Sequence, residues 1–215
     1  MKRWLLLLLL LLVGLLAGGC ANPSSQGAEY TAHEPAQTPE AGVVRLTLEG
    51  ASLAFNPGSG FVCLTRDTDA SVYAAMGMDK DSALASMVEQ NVYALLFDKA
   101  CAAEVHICAV PVSHEDYDDM TGYPVAKLPA NVKTDLMISG YEVHRCELMQ
   151  NTGHRFVRAV ISKTYADGAS AYRVFYETCQ ANEQVFVNVL PYEDGPVSDA
   201  LQQATDALVD SIRVY

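Results

Sequence analysis

Three residues set two apart, Glu142, His144 and Cys146, would share one face of a strand. That is the residue set of an acid–imidazole–thiol line, in which a base activates a cysteine nucleophile. Residues two apart on a strand are ordinarily only neighbours, and nothing in the sequence marks a cleft around these, so no catalytic residue is assigned. The densest set of metal-ligand types is SHEDYDDM, with His114, Glu115, Asp116, Asp118 and Asp119. It lacks the glycine and closing Glu offsets of an EF-hand. Ser113 can cap a helical turn there, with Asp116 complementing its dipole. The segment reads as a solvated acidic helix start, and no metal is assigned. No Gly-rich phosphate loop, HExxH, CxxC or G-x-S-x-G occurs, and no cofactor is expected. His106 alternates with Val105 and Ile107 and is expected to face solvent.

The remaining candidate is Cys20. Lys2 and Arg3 precede an almost unbroken apolar run, Trp4 to Ala17, and Gly18 and Gly19 lead into Cys20. A membrane-spanning helix needs about 20 apolar residues. This run is shorter, and the parts stand in the order of an export signal. LLAGGC resembles the bacterial lipobox, in which the Cys after small residues is diacylated and becomes the new N-terminus. The resemblance departs at Ala17, where Leu is usual, with Leu16 one step further out. An ordinary secretory signal and an uncleaved anchor are the alternatives. On the lipobox reading residues 1–19 are signal, Cys20 is the lipid-attachment site, and 20–42 follow as a tether. That tether, rich in Ala, Pro, Ser, Thr, Gln and Glu, cannot bury enough apolar surface to offset its ordering entropy.

Loss of residues 1–19 takes Lys plus Arg from 14 to 12 and leaves Asp plus Glu at 26, so the formal charge moves from −12 to −14. Such a balance excludes nucleic acid as a partner, since phosphates need a basic patch. It also excludes adsorption to anionic lipid, which takes clustered Lys and Arg. Membrane attachment must then come from acyl chains. The only Trp leaves with the signal, which disfavours a sugar-binding cleft. Beyond Cys20 stand Cys63, Cys101, Cys108, Cys146 and Cys179, an odd count that leaves at least one unpaired. Four of them fall in strand patterns, where a free Cys behaves as a small hydrophobe. Cys101, in a turn, is the expected exposed thiol. A Cys101–Cys108 bridge would span too far along one extended arm. Mostly free thiols are expected, with room for one bridge.

The elements that must position these residues follow from periodicity. VVRLTLEG alternates, with Val44, Leu46 and Leu48 on one face. Leu53 and Phe55, an Asn56-Pro57-Gly58 turn and the run Phe61–Leu64 continue as strands. Asp79 can cap a helix with Leu84, Met87, Val88 and Val92 as its stripe. Strands are predicted at Tyr93–Phe97 and Ala103–Val110. A shorter helix is predicted at Asn131–Ser139, with Val132 and Leu136 inward and Gly140 at C′. Four alternating segments, Tyr141–Met149, His154–Lys163, Ser170–Cys179 and Gln184–Leu190, make an antiparallel meander. Val197, Leu201, Ala204, Leu208 and Ile212 then line one face of a closing helix. Residues 43–215 are thus one α+β domain, an antiparallel sheet covered by helices.

This order, with Phe55, Pro57, Gly60 and Phe61 at the first turn and Tyr176–Val189 as the last strand pair, resembles the PsbP-like fold. The plant members of that family are non-catalytic helpers of a membrane complex. The resemblance implies an accessory or binding role and supplies no catalytic residues. The expectation is a lipid-anchored, extracytoplasmic protein of the bacterial cell envelope that binds an envelope protein or a small ligand. An envelope hydrolase is the alternative. A transporter's solute-binding component would need two lobes and a longer chain.

Overall fold

The computed structural model describes residues 42–115, 122, 124–150, 155–166, 168–193 and 195–215. Cys20, the tether and Asp116, Asp118 and Asp119 lie outside them. Among the described residues the elements run β1 (Val44–Thr47), β2 (Ser52–Phe55), β3 (Phe61–Thr65), α1 (Ala70–Ala75), α2 (Lys80–Glu89), β4 (Val92–Asp98), β5 (Ala103–Pro111), α3 (Leu128–Ile138), β6 (Glu142–Gln150), β7 (Arg155–Thr164), β8 (Ser170–Gln180), β9 (Glu183–Pro191), α4 (Asp199–Ser211) and β10 (Arg213–Val214). The main sheet has seven strands in the order β3-β4-β5-β9-β8-β7-β6, every neighbouring pair antiparallel. The α+β class and the β6–β9 meander therefore stand as expected.

Turn chemistry sets the meander's register. Ala181 (φ 51) and Asn182 (φ 60) both adopt the left-handed conformation between β8 and β9, as a two-residue type I′ hairpin requires. Gly140 (φ 83) sits at the C′ position of α3. Its N–H donates to Met137 O (3.0 Å) and that of Tyr141 to Leu136 O (3.1 Å), the paired bonds of a Schellman ending. Leu136 and Tyr141 are both buried and pack in one cluster, which locks the helix exit against the sheet.

Each face of the sheet has its own core. On one, Val105, Ile107, Val187 and Val189 meet Leu201, Leu208 and Val209 of α4 and the strands of a second sheet. That sheet, β1-β2-β10, was not expected. The last residues double back after α4, with Tyr215 N donating to Ser52 O (2.9 Å) and Ser52 N to Tyr215 O (3.1 Å). On the other face, Phe175, Phe186, Ala159 and Ile161 meet Tyr73 of α1, Met87 of α2 and Leu136 of α3.

Three expectations need correction. The stripe of α2 does not run through Val88, which is 58% exposed. Its inward face centres on Met87 with Ala83 and Leu84, and Val88 lies 100° round from Met87. Val92 belongs to β4, because Asn91 (φ 54) ends the helix in a left-handed turn. His106 does not face solvent but is 7% exposed. Its strand lies between β4 and β9 with both faces covered, so a polar residue in the alternation still points into a core. The six-residue helix α1, capped by Asp69, was not anticipated at all.

Candidate functional site

The acid–imidazole–thiol line on β6 forms only in its first half: Glu142 Oε1 lies 3.8 Å from His144 Nδ1, and Cys146 is parted from the ring. A register shift between Val143 and Arg145 inserts an extra residue against β7. The bulge leaves Val143 and Cys146 together in the cluster beneath α3. His144 turns elsewhere, its Nε2 2.8 Å from Ser162 Oγ and its ring stacked on Tyr172 with centroids 5.7 Å apart. Cys146 donates its thiol hydrogen to Pro129 O (3.1 Å). Burial, then the nearby Glu177 charge, push that thiol up to about 11, so it is not an activated nucleophile at neutral pH.

Two polar groupings on opposite faces of the main sheet hold the remaining chemistry. Under α4, Arg158 is the hub. Its Nε (2.9 Å) and Nη2 donate to Glu147 Oε1, and Nη1 donates to Asp206 Oδ2 (2.5 Å). Arg145 holds the other Glu147 oxygen at 2.8 Å. Asp206 Oδ1 accepts from Tyr176 Oη (2.7 Å) and Gln202 Nε2 (2.9 Å). Burial alone would raise Glu147, but the Arg158 and Arg145 bonds outweigh it and leave the carboxyl below its ordinary range. Every member of this set has a partner, and together they pin α4 to β6, β7 and β8. Such closed charge networks hold elements in register.

Under α3 lies the second grouping. Glu177 of β8 is 7% exposed, and its Oε1 accepts from Gln184 Nε2. Its Oε2 is buried without a partner among the described residues. Burial, with the Asp135 charge of α3 in the same direction, pushes Glu177 up to about 7. Asp135 is itself raised by burial. The carboxyl can hold or release a proton near neutrality, the poise of an acid–base group. The sequence held no signal for it, since Glu177 is one polar residue in an alternating strand.

His106 shares this face, with Nε2 3.1 Å from Glu104 Oε1 and Nδ1 buried without a partner. So do Tyr141, whose hydroxyl is buried and unpartnered, and Arg173, whose Nη1 is likewise. None of these four was singled out as a site residue by sequence reasoning, apart from the mistaken placement of His106.

All five described cysteines carry free thiols, and Cys101 is the exposed one, on its turn. Burial pushes Cys63, Cys108 and Cys179 each up to about 12. Of SHEDYDDM, His114 and Glu115 form a helical turn, and the aspartates lie outside the described residues. Among the described residues no group of three or more His, Cys, Asp or Glu could hold a metal ion. No described helix is long and apolar enough to cross a membrane.

No family model matches the chain, and no curated protein matches it in sequence. Among solved structures the chain is similar to the solution structure of cyanobacterial PsbP (CyanoP) from Synechocystis sp. PCC 6803. The two share 11% identity at a TM-score of 0.46, over 85% of this chain and 98% of that one.

Proposed function

We propose that the chain is a lipid-anchored accessory or binding protein of the bacterial cell envelope, acting on the extracytoplasmic side and performing no catalysis itself. One observation carries the reading. LLAGGC places a Cys at the end of an apolar export-type run, and a polar stretch of tether composition follows it at once. Two acyl chains on Cys20 would hold a body whose net negative charge gives it no electrostatic hold on anionic lipid. The tether would let the α+β body reach a partner near the membrane surface. The non-catalytic part draws support from the described side chains. The thiol on β6 is protonated and bonded to a carbonyl, and the sheet's charged hub is fully paired.

Mass spectrometry of the membrane-purified protein tests the anchor. An N-terminus at Cys20 with a lipid-sized mass increment is expected, lost in Cys20→Ser. An intact Met1 or an unmodified N-terminus elsewhere overturns the reading.

A further inference from the structure

We infer that Tyr141, Lys163 and Arg173 form a binding site for a small tetrahedral oxyanion of the phosphate class, beside the C-terminal end of α3. The register brings the two cations together. Ile161 pairs with Arg173 and Lys163 with Ala171 across β7 and β8, so Lys163 and Arg173 are diagonal neighbours on one face. It is the face on which Ile161 packs with Tyr141. Lys163 Nζ lies 5.0 Å from the centre of the Tyr141 ring.

What marks the place is an unanswered set of donors. Tyr141 is 5% exposed, and its hydroxyl is buried with no partner among the described residues. Arg173 Nη1 is buried and equally unanswered. The Arg173 charge draws that hydroxyl down, against the larger upward push of burial. Among the described residues neither Lys163 nor Arg173 pairs with a carboxylate, in a chain with 26 acids and 14 Lys plus Arg. Buried polar atoms are ordinarily satisfied, and a group left without a partner calls for one.

The end of α3 does not supply it. Asp135 O accepts from Ser139, Leu136 O from Tyr141 and Met137 O from Gly140, so these final carbonyls are already answered from within the exit turn. A guanidinium arm and an ammonium are donors only, and the phenol can donate. Three donors reaching from β7, β8 and the start of β6 suit an oxyanion with oxygens in several directions. The ligand class deepens the binding-module reading and rests on it only for a cellular role, because the site belongs to the body and the anchor to Cys20.

The full chain, purified in detergent micelles without phosphate, is titrated with inorganic phosphate by calorimetry at constant ionic strength. Saturable binding is expected, weakened tenfold or more by Arg173→Gln and several-fold by Tyr141→Phe. Val88→Ser, on the exposed side of α2, should bind as the wild type does. Tyr141→Phe removes one hydroxyl that has no partner, so its fold should persist and the test stands even if Arg173→Gln unfolds. Absence of saturable binding, or equal affinity in wild type and Tyr141→Phe, overturns the site. Acetate competing as well as phosphate overturns the tetrahedral class. Competition by vesicles containing phosphatidic acid supports a lipid headgroup as the source, and phosphate binding without such competition supports a soluble anion. A Cys20 mass increment alongside failed phosphate binding leaves the anchor reading standing and removes the site alone.

Discussion

The two faces of the seven-stranded sheet solve the same burial problem with different polar residues. Under α4, Arg158, Glu147, Asp206, Tyr176 and Gln202 answer one another, and on that side only Glu183, whose Oε1 accepts from Gly50 N, leaves an oxygen without a partner among the described residues. Under α1, α2 and α3, four side chains each leave an atom unanswered among the described residues: His106 Nδ1, Tyr141 Oη, Arg173 Nη1 and Glu177 Oε2. A closed network contributes rigidity and has nothing left to offer a ligand. An open one costs stability, since each buried unpaired group forfeits about 1–3 kcal/mol. The α4 face is scaffold, and the α3 face is where binding is to be sought.

The strongest test of that contrast removes the hub. Arg158→Ala strands Glu147 and Asp206 under α4, and urea denaturation should show a loss of about 3 kcal/mol. A loss below about 0.5 kcal/mol would mean that α4 is held by its apolar face alone.

The α3 face should instead respond to pH. Glu177 is pushed from 4.5 up to about 7, so the folded state holds its proton where the unfolded chain has released it. Its contribution is fully present below about pH 4.5 and is lost as pH rises through about 7. Between those values it should lower stability by about 3 kcal/mol. Glu177→Gln should flatten that part of the profile and leave the mutant more stable than wild type at pH 8. Equal pH profiles for the two proteins would break the assignment.

Two tyrosines sharpen the comparison at smaller scale. Tyr176→Phe deletes a hydroxyl bonded to Asp206 and should cost about 1 kcal/mol. Tyr141→Phe deletes one with no partner and should cost nothing or stabilise slightly. Thermal denaturation of the pair decides, and equal losses would erase the distinction between the faces. The smallest effect belongs to Val88→Ser, which should stay within about 0.5 kcal/mol by the same measurement because the side chain already meets solvent.

Strand alternation from Tyr141 to Leu190 and the Gly140 helix exit were legible because each is a local property. Period-2 patterning, left-handed turn residues and caps act within a few residues of themselves. So was the apolar face of α4, through Leu201 and Leu208, although Ile212 falls past the helix end in extended backbone. The candidate site was not legible. Glu177, His106 and Arg173 each look like the polar half of an ordinary alternation, and nothing nearby in the chain separates a solvated face from one that α3 covers.

The sequence by itself determined the α+β class, the meander and the choice of free, strand-borne cysteines as packing residues. Tertiary structure alone decided three things. It paired the two-residue strand β10, too short to carry a pattern of its own, with β2 far away in the chain. It placed the bulge on β6 that sends His144 and Cys146 to different surroundings, because register depends on the partner strand. And it covered both faces of the central strands, so that polar residues expected in water became buried donors and acids with shifted protonation. Those properties depend on what lies opposite each side chain across the layers.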